Sequence, residues 1–237
     1  MKKHIVSLSG GKDSTAMLLL MIEKNILIDE IIFCDTGAEF PEMYEHLRKL
    51  ETYIGQEITW IKNPKGDFFY YFSKYEKKQG KNKGAKGYGW PTMNARWCTK
   101  ALKTDVIETY VKAKYQGVPC KEYIGIAYDE RHRAKGKSYP LIEWGITEEK
   151  ALQYCYDKGF TWGGLYEIFT RVSCYLCPLQ RIGELKKLRQ HKPGLWQKMM
   201  EMDRLTDYPF RKDYTIAELE KRFQAEDRQL CFLESEF

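Results

Sequence analysis

The strongest constraint lies at the start of the chain. An apolar run, Ile5-Val6-Ser7-Leu8, meets Ser9-Gly10-Gly11-Lys12-Asp13-Ser14, and a second apolar run follows from Ala16 to Ile22. The first run has strand length and the second lies in a stretch of helix length, so residues 9–14 read as the turn of a strand–turn–helix unit. Two adjacent glycines let the backbone turn tightly and come close to a ligand. The following helix presents unpaired N–H groups and the positive end of its dipole, which together hold an anion. Lys12 adds a full charge, and Ser14 a hydroxyl that can also cap the helix. For the Gly-Gly pair alone, a ligand-free turn is the plainer reading. The whole hexapeptide between strand and helix favours anion binding. It is not a Walker-type loop, which needs a glycine five residues before Gly11, where position 6 is Val.

The alternation continues. Ile31–Cys34 is predicted as a second strand, Pro41–Tyr53 as a second helix with Pro41 in its first turn, and Ile58–Ile61 as a third strand. Strands that are apolar throughout, separated by helices, predict an α/β fold: a doubly wound, mostly parallel sheet covered on both faces. Ligands of such sheets bind at the carboxyl ends of the strands, which directs attention to the loops after Leu8 and Cys34. Residues 77–95 are dense in Lys, Gly, Asn and Pro and read as a mobile loop. A long helix is expected over Arg96–Tyr115 and a strand over Tyr123–Ile126. From Glu148 onward the reading is helical, broken at Ser173–Pro178, with a last helix over Thr215–Gln229. The expected organisation is a nucleotide-binding α/β domain at 1–145 with a helical, cysteine-containing part at 146–237 packed on it.

Composition narrows the class. The 237 residues suffice for a sizeable core, and no run of eighteen apolar residues predicts a membrane span. The basic start is interrupted by Ser7, Ser9 and the glycines, so it reads as a first strand and not as a signal peptide, and a cytoplasmic location is expected. A net charge of +6 is compatible with anionic partners and decides nothing by itself. Seven cysteines, read in a reducing compartment, point to metal ligands or reactive thiols and away from a disulfide framework. Cys174-Tyr175-Leu176-Cys177-Pro178 is a C-x-x-C that lets two thiolates chelate one metal or cluster, with two unligated cysteines as the plainer alternative.

Ser9–Ser14 resembles the pyrophosphate-binding loop of the adenine nucleotide α-hydrolase (PP-loop ATP pyrophosphatase) superfamily, and within it the phosphoadenosine phosphosulfate reductase family. Asp35-Thr36-Gly37-Ala38-Glu39-Phe40-Pro41-Glu42 is similar to that family's segment after the second strand. The resemblance implies an adenine nucleotide α-hydrolase-like, Rossmann-like fold that binds ATP or another adenine nucleotide with Mg²⁺. Ser9, Gly10, Gly11, Lys12, Asp13 and Ser14 would face the phosphates. Asp35, Thr36 and Gly37 would approach the ribose or metal, with Asp13 or Asp35 as Mg²⁺ ligand; on its own Asp35 reads as a turn residue. Lys12, Asp13 and Asp35 are the candidate catalytic residues.

Iron–sulfur members of this family carry a Cys-Cys pair, a long gap and a C-x-x-C that together hold a [4Fe–4S] cluster. Cys98 matches the first of the pair, Thr99 stands in place of the second, and Cys174 follows 76 positions after Cys98. The resemblance implies Cys98, Cys174 and Cys177 as ligands, with another group in the fourth position or one iron open to an exogenous sulfide. Zinc, with Cys155 or a histidine as fourth ligand, is the alternative. Cys34 and Cys120 read as plain cysteines. Cys231 sits in Gln229-Leu230-Cys231-Phe232-Leu233, which lacks the Glu-Cys-Gly-x-His nucleophile motif of true sulfonucleotide reductases.

Two charged loops remain. Arg131 and Arg133 can clamp phosphates bidentately or form a solvated surface loop. Many relatives carry Arg where Ala127 stands, so part of the family's anion site is altered. Lysines 74, 77, 78, 81, 83 and 86, followed by Tyr88 and Trp90, suit single-stranded nucleic acid, a lid over ATP, or a solvated loop. Trp144, Trp162 and Tyr166 read as core. Three functions are carried forward. The leading one is an ATP-dependent enzyme that adenylates an acceptor, releases pyrophosphate and transfers sulfur, with nucleic acid as acceptor and a sulfur-donor protein as partner. The others are a sulfonucleotide reductase and a non-enzymatic, zinc-containing nucleic-acid-binding module.

Overall fold

The computed structural model describes residues 1–80 and 82–234, with side chains through Gln229. Lys81 of the lysine-rich loop and the Cys231 side chain lie outside the described residues. Four strands, β1 (Lys3–Leu8), β2 (Glu30–Cys34), β3 (Ile58–Ile61) and β4 (Cys120–Ile124), form one sheet in the order β3-β2-β1-β4. Every pairing is parallel. Their carboxyl ends therefore share one edge. The chain builds outward from β1 through β2 to β3 and then returns to pair β4 on the other side of β1. This reversal opens the crevice in which doubly wound sheets bind ligands.

Strand alternation divides the apolar side chains between two layers. Val6, Leu8, Ile31, Phe33 and Ile58 belong to the larger core, with α1 (Lys12–Glu23) and α2 (Pro41–Ile54). Ile5, Ile32, Cys34 and Ile61 meet Val106 on the other face. Each such burial contributes about 1.5–3 kcal/mol, against about 1 kcal/mol for a typical hydrogen bond, so these two layers hold the sheet between its helices. In α1, Thr15 through Leu19 and Met21 are buried, because the helix is covered by more than the sheet alone. The helices after residue 139 contribute Leu141, Ala151, Leu165, Leu185, Met199 and Phe223 to the same core.

The strand and helix positions follow the sequence reading in the main, with differences at the ends and in several segments, among them an unexpected helix at Pro140–Glu143 and a second break in the C-terminal helices between Asp203 and Ile216. Phe68–Ser73 forms a short helix, α3, that was not expected; the Asp67 carboxylate caps it by accepting from the Tyr70 N–H at 2.9 Å. The expected continuous helix over Arg96–Tyr115 is divided into α4 (Trp97–Thr99), a π-helical stretch at Lys100–Thr104 and α5 (Asp105–Tyr115). Two carbonyls of the π stretch take outside donors: Ala101 from Asn63 Nδ2 at 2.8 Å and Lys103 from the Cys34 thiol at 3.8 Å. Such insertions are what interrupt a helical ladder. The fourth strand runs Cys120–Ile124, earlier than expected, because Gly125 already turns away against α1. The remaining helices are α6 (Pro140–Glu143), α7 (Glu148–Asp157), α8 (Leu165–Ile168), α9 (Ile182–His191), α10 (Pro193–Asp203) and α11 (Ile216–Glu234). None among the described residues is long and apolar enough to cross a membrane.

Two buried polar groups generate predictions. Glu30, at the start of β2, accepts from Lys114 Nζ, the Tyr110 and Tyr115 hydroxyls and Thr59 Oγ1 at 2.5–2.9 Å. Burial opposes its ionisation, but these hydrogen bonds outweigh it and hold the carboxyl below its ordinary value. The stabilisation is therefore present above pH 4.5 and lost as the pH falls through the depressed folded-state value. Glu30→Ala should cost about 2 kcal/mol in urea unfolding at neutral pH, the half-exposed Lys114 reducing the usual cost of breaking a buried pair. His46 of α2 shares a 3.0 Å hydrogen bond with Thr15 Oγ1 and stacks on Trp162 at 4.4 Å. Burial, with a smaller contribution from Lys49, pushes its pKa down from 6.5 to about 3. Its contribution is complete above pH 6.5 and declines as the pH falls towards 3. Between pH 6.5 and 5 the protein should lose about 2 kcal/mol that a His46→Gln variant does not lose. Parallel unfolding curves for the two proteins at both pH values would refute this.

Candidate active site

The first turn of α1 begins directly where β1 ends. Gly10 has φ +80°, and a Cβ there would lie 2.4 Å from Met43 Sδ and 3.3 Å from Leu47, both on α2. Glycine alone fits both the left-handed backbone and the approach of the helix. From the other side, a Cβ on Gly125 would lie 2.5 Å from Ser14 Cα, so the exit from β4 runs against the first turn of α1. Ser14 does not cap the helix. Its hydroxyl accepts from the Ser9 N–H at 3.2 Å, donates to the Gly11 carbonyl at 3.1 Å and lies 2.9 Å from Ser9 Oγ, bracing the loop from within.

Residues from the C-terminal part complete this loop. The Trp162 indole N–H donates to the Gly10 carbonyl at 2.7 Å, and the Tyr166 hydroxyl accepts from the Lys12 amide at 2.8 Å. One amide expected to face an anion is thus taken by Tyr166. Among the described residues, the Gly10 and Gly11 amides have no protein acceptor. Trp162 has φ +50°, followed by Gly163 at +59° and Gly164 at +81°. A tryptophan in that region costs roughly 1–2 kcal/mol, a strain kept here by the burial and bonding of its ring. Trp162 is core, as expected, but both it and Tyr166 also form walls of the phosphate loop. Their aromatic surroundings offered no signal for that role.

The charges converge beside the loop. Lys12 is only 7% exposed, and its Nζ donates to both Asp13 oxygens at 3.1 Å and to Glu148 Oε1 at 2.5 Å. Asp13, Glu130 and Glu148 each bring a carboxylate oxygen within 4.8 Å of the others. Burial pushes the Asp13 pKa up to about 6; Lys12 opposes the shift, and Glu148 and Glu130 add to it. Glu148 is set in place at the start of α7, where its N–H donates to the Asp129 carboxylate at 3.1 Å and Thr147 caps the helix. Three carboxylates against the Lys12 ammonium and the Arg133 guanidinium leave one negative charge in excess, and their oxygens are of the type that ligates a divalent cation. Glu130 and Glu148, absent from the sequence reading, stand in polar segments that look like ordinary surface in one dimension.

Asp35 has a different setting. Its Oδ1 accepts from the Gly37 N–H and the Tyr44 hydroxyl, both at 2.9 Å, and so it holds the turn after β2. Thr36 is buried and donates to Glu39 at 3.2 Å, and Gly37, at φ +74°, leaves a Cβ only 3.2 Å from Asp67. Arg131 lies over the Tyr128 ring at 4.8 Å, and Arg133 pairs with Glu130. The two arginines therefore stand on a segment adjoining the carboxylates, with partners of their own.

The cysteine segments meet at the end of β2. The Tyr175 N–H donates to the Ala38 carbonyl at 3.2 Å, laying the C-x-x-C turn on the strand-end loop. The Cys174 thiol points to Glu39 Oε1 at 3.5 Å, and Lys103 Nζ pairs with the same oxygen at 3.4 Å. Burial and the neighbouring Cys177 raise the pKa of the Cys98 thiol. Burial and Glu39 raise that of Cys174, with Cys177 and Cys98 adding to it. The three cysteines are thus electrostatic neighbours. Their Sγ atoms do not all lie within 4.8 Å of one another, wider than the roughly 3.8 Å of thiolates around one tetrahedral zinc. Cys155 lies elsewhere, its buried thiol donating to the Lys12 carbonyl at 3.5 Å, and this removes it as the fourth zinc ligand. Cys34 packs in the second apolar layer, as expected. Glu39 and Lys103 stand inside the motifs already read, where neither had been given a role.

Comparison with known proteins adds the family. An uncharacterized protein of Methanocaldococcus jannaschii is 26% identical over 219 residues, 83% of this chain and 40% of that protein. A second from the same organism is 27% identical over 211 residues, covering 83% and 46%. An uncharacterized nin-region protein of Escherichia phage lambda is 27% identical over 56% of this chain and 51% of its own length. The chain thus spans about half or less of the curated relatives it matches. Among solved structures, the U34-tRNA thiolase NcsA from Methanococcus maripaludis with its [4Fe–4S] cluster aligns with 94% of this chain and 73% of its own, at 16% identity and a TM-score of 0.44. A likeness of that extent bears on neither activity nor substrate. The family model for the phosphoadenosine phosphosulfate reductase domain matches residues 3–180, a span that holds the phosphate loop, both strand-end motifs and all three clustered cysteines. The chain belongs to the phosphoadenosine phosphosulfate reductase domain family.

Proposed function

We propose that this protein is an ATP-dependent enzyme that adenylates an acceptor, releases pyrophosphate and then introduces sulfur, with nucleic acid as the acceptor. The observation that carries this reading is the β1–α1 turn, where among the described residues the Gly10 and Gly11 amides have no protein acceptor and the next residue is the buried Lys12. An acceptor oxygen attacks the α-phosphorus of ATP, the bond to the β-phosphate oxygen breaks, and pyrophosphate leaves. Lys12 and the loop amides stabilise the charge that develops on the leaving group. A sulfur nucleophile then attacks the activated carbon, and AMP departs with the former acceptor oxygen.

Lys12 is held by Asp13 and Glu148, so it turns towards a phosphate as those bonds loosen. Asp13, Glu130 and Glu148 would hold Mg²⁺, whose charge offsets that of the triphosphate. Tyr166 and Trp162 keep the loop in shape, and Asp35 acts one step removed by fixing the turn after β2. Cys98, Cys174 and Cys177 would hold a [4Fe–4S] cluster that lacks one protein thiolate, and this group would supply sulfide or electrons. The family's reductase chemistry remains the second reading of the same site.

With α-labelled ATP and the oxygen-protected protein, turnover should release pyrophosphate and AMP. Lys12→Ala should lower kcat/KM about 100-fold or more, as expected for removal of a preorganised charge. Release of γ-phosphate alone would contradict the scheme. Protein purified without oxygen should be brown, with broad absorbance near ~400 nm that Cys174→Ala abolishes. A colourless protein with bound zinc would favour the module instead.

A further inference from the structure

We propose that the cavity at the carboxyl end of β3 binds single-stranded nucleic acid, seating one unstacked base beside the Cys98 segment. The cavity has a volume of about 780 Å³, within the range of small-ligand sites. Tyr71, Tyr75, Tyr88 and Trp97 line it. In five of the six possible pairs among them the ring planes meet at 6–26°, with centroids 4.8–6.4 Å apart. Packed aromatic side chains often meet edge to face, whereas four near-parallel rings make the kind of panel on which a base stacks. Tyr75, Tyr88 and Trp97 are only half-buried, so the panel is open to a ligand.

The charge around the cavity selects an anion. Lys62, Lys65 and Lys100 line it and are exposed, against one acidic lining residue, Asp105. Tyr75 and Tyr88 also bracket the lysine-rich loop, whose Glu76 and Lys86 pair as a short antiparallel bridge. Lys74, Lys78, Lys83 and Lys86 of that loop are exposed. Lys77 lies over the Tyr88 ring at 5.7 Å and the Tyr208 ring at 4.9 Å, tying the loop to the aromatic panel. Cations on both sides of the panel suit a run of phosphodiesters better than a single nucleotide. In the sheet, β2 stands between this cavity and the strand that carries the phosphate loop.

Trp97 and Lys100, both in the lining, flank Cys98 and Thr99 along the chain, so the cavity wall and the first cysteine share one segment. The acceptor role rests on the adenylating chemistry proposed above, whereas the binding does not.

The test is fluorescence anisotropy of labelled oligothymidylate and oligouridylate with the full chain, over a series of salt concentrations and without ATP. Tyr88→Ala should weaken binding about tenfold, in keeping with the loss of one stacked base. The pair Lys62→Glu and Lys65→Glu, both at exposed positions, should reduce the slope of log K against log salt by about 1.4. Lys12→Ala should lose ATP binding and keep oligonucleotide binding, which separates this site from the phosphate loop. If the native protein binds oligonucleotide but not ATP, the adenylation reading fails and this one stands. Unchanged affinity and salt slope in the lysine pair would overturn the proposal, even if Tyr88→Ala failed to fold. So would equal affinity for duplex, or displacement of the oligonucleotide by AMP in a Tyr88-dependent way.

Discussion

The hydrogen bond from the Trp162 indole to the Gly10 carbonyl joins the C-terminal helices to the loop at a residue whose backbone has little room to yield. Gly10 is left-handed, with Met43 and Leu47 pressed against its α-carbon. The bond satisfies the Gly10 carbonyl from the core side, while the Lys12 and Ser9 amides are taken by Tyr166 and Ser14. Trp162 in turn stacks on His46, which shares a hydrogen bond with Thr15 one turn into α1. Loop, α1, α2 and the segment at 162–166 are therefore held by one connected set of contacts. Neutral His46 suits this setting, because a charged imidazole there would bring an unpaired cation into the core.

Around that framework the parallel sheet sets three chemistries along one edge. The glycine turn with Lys12 follows β1, the Cys174 turn lies on the loop after β2, and the aromatic cavity opens after β3. Each is made of residues far apart in sequence, yet none needs a long reach, because adjacent strands stand only about 4.8 Å apart. The carboxylates of Asp13, Glu130 and Glu148 gather at the β1–β4 reversal, where the crevice of a doubly wound sheet lies. The polar groups are balanced in pairs: Lys12 by Asp13 and Glu148, Glu39 by Lys103. Binding an anion at the loop means exchanging one of these partners for a ligand, which makes Glu148 as consequential for the site as Lys12.

What could be read in one dimension was local. The strand lengths, the two glycines at the turn, the C-x-x-C and the alternation of strand and helix each depend on neighbours within a few residues, and the parallel sheet and the strand–turn–helix unit at its centre followed from them. The short helix at Phe68–Ser73 was legible in principle, since Asp67 stands as an N-cap before an apolar run. The π-helical stretch was not, because it depends on Asn63 and Cys34 reaching carbonyls in another element.

The partnerships were decided by the tertiary structure alone. Glu148 pairs with Lys12 across 136 positions, and Trp162 reaches Gly10 across 152. Asp35, given a ligand's role by its motif, also holds its own turn, its Oδ1 accepting from Gly37 and Tyr44. A sequence determines what each segment can do, through period, charge and backbone freedom. Which segments meet depends on strand order and on the burial of faces that no local pattern encodes, and so the elements were largely legible while the partners of their side chains were not.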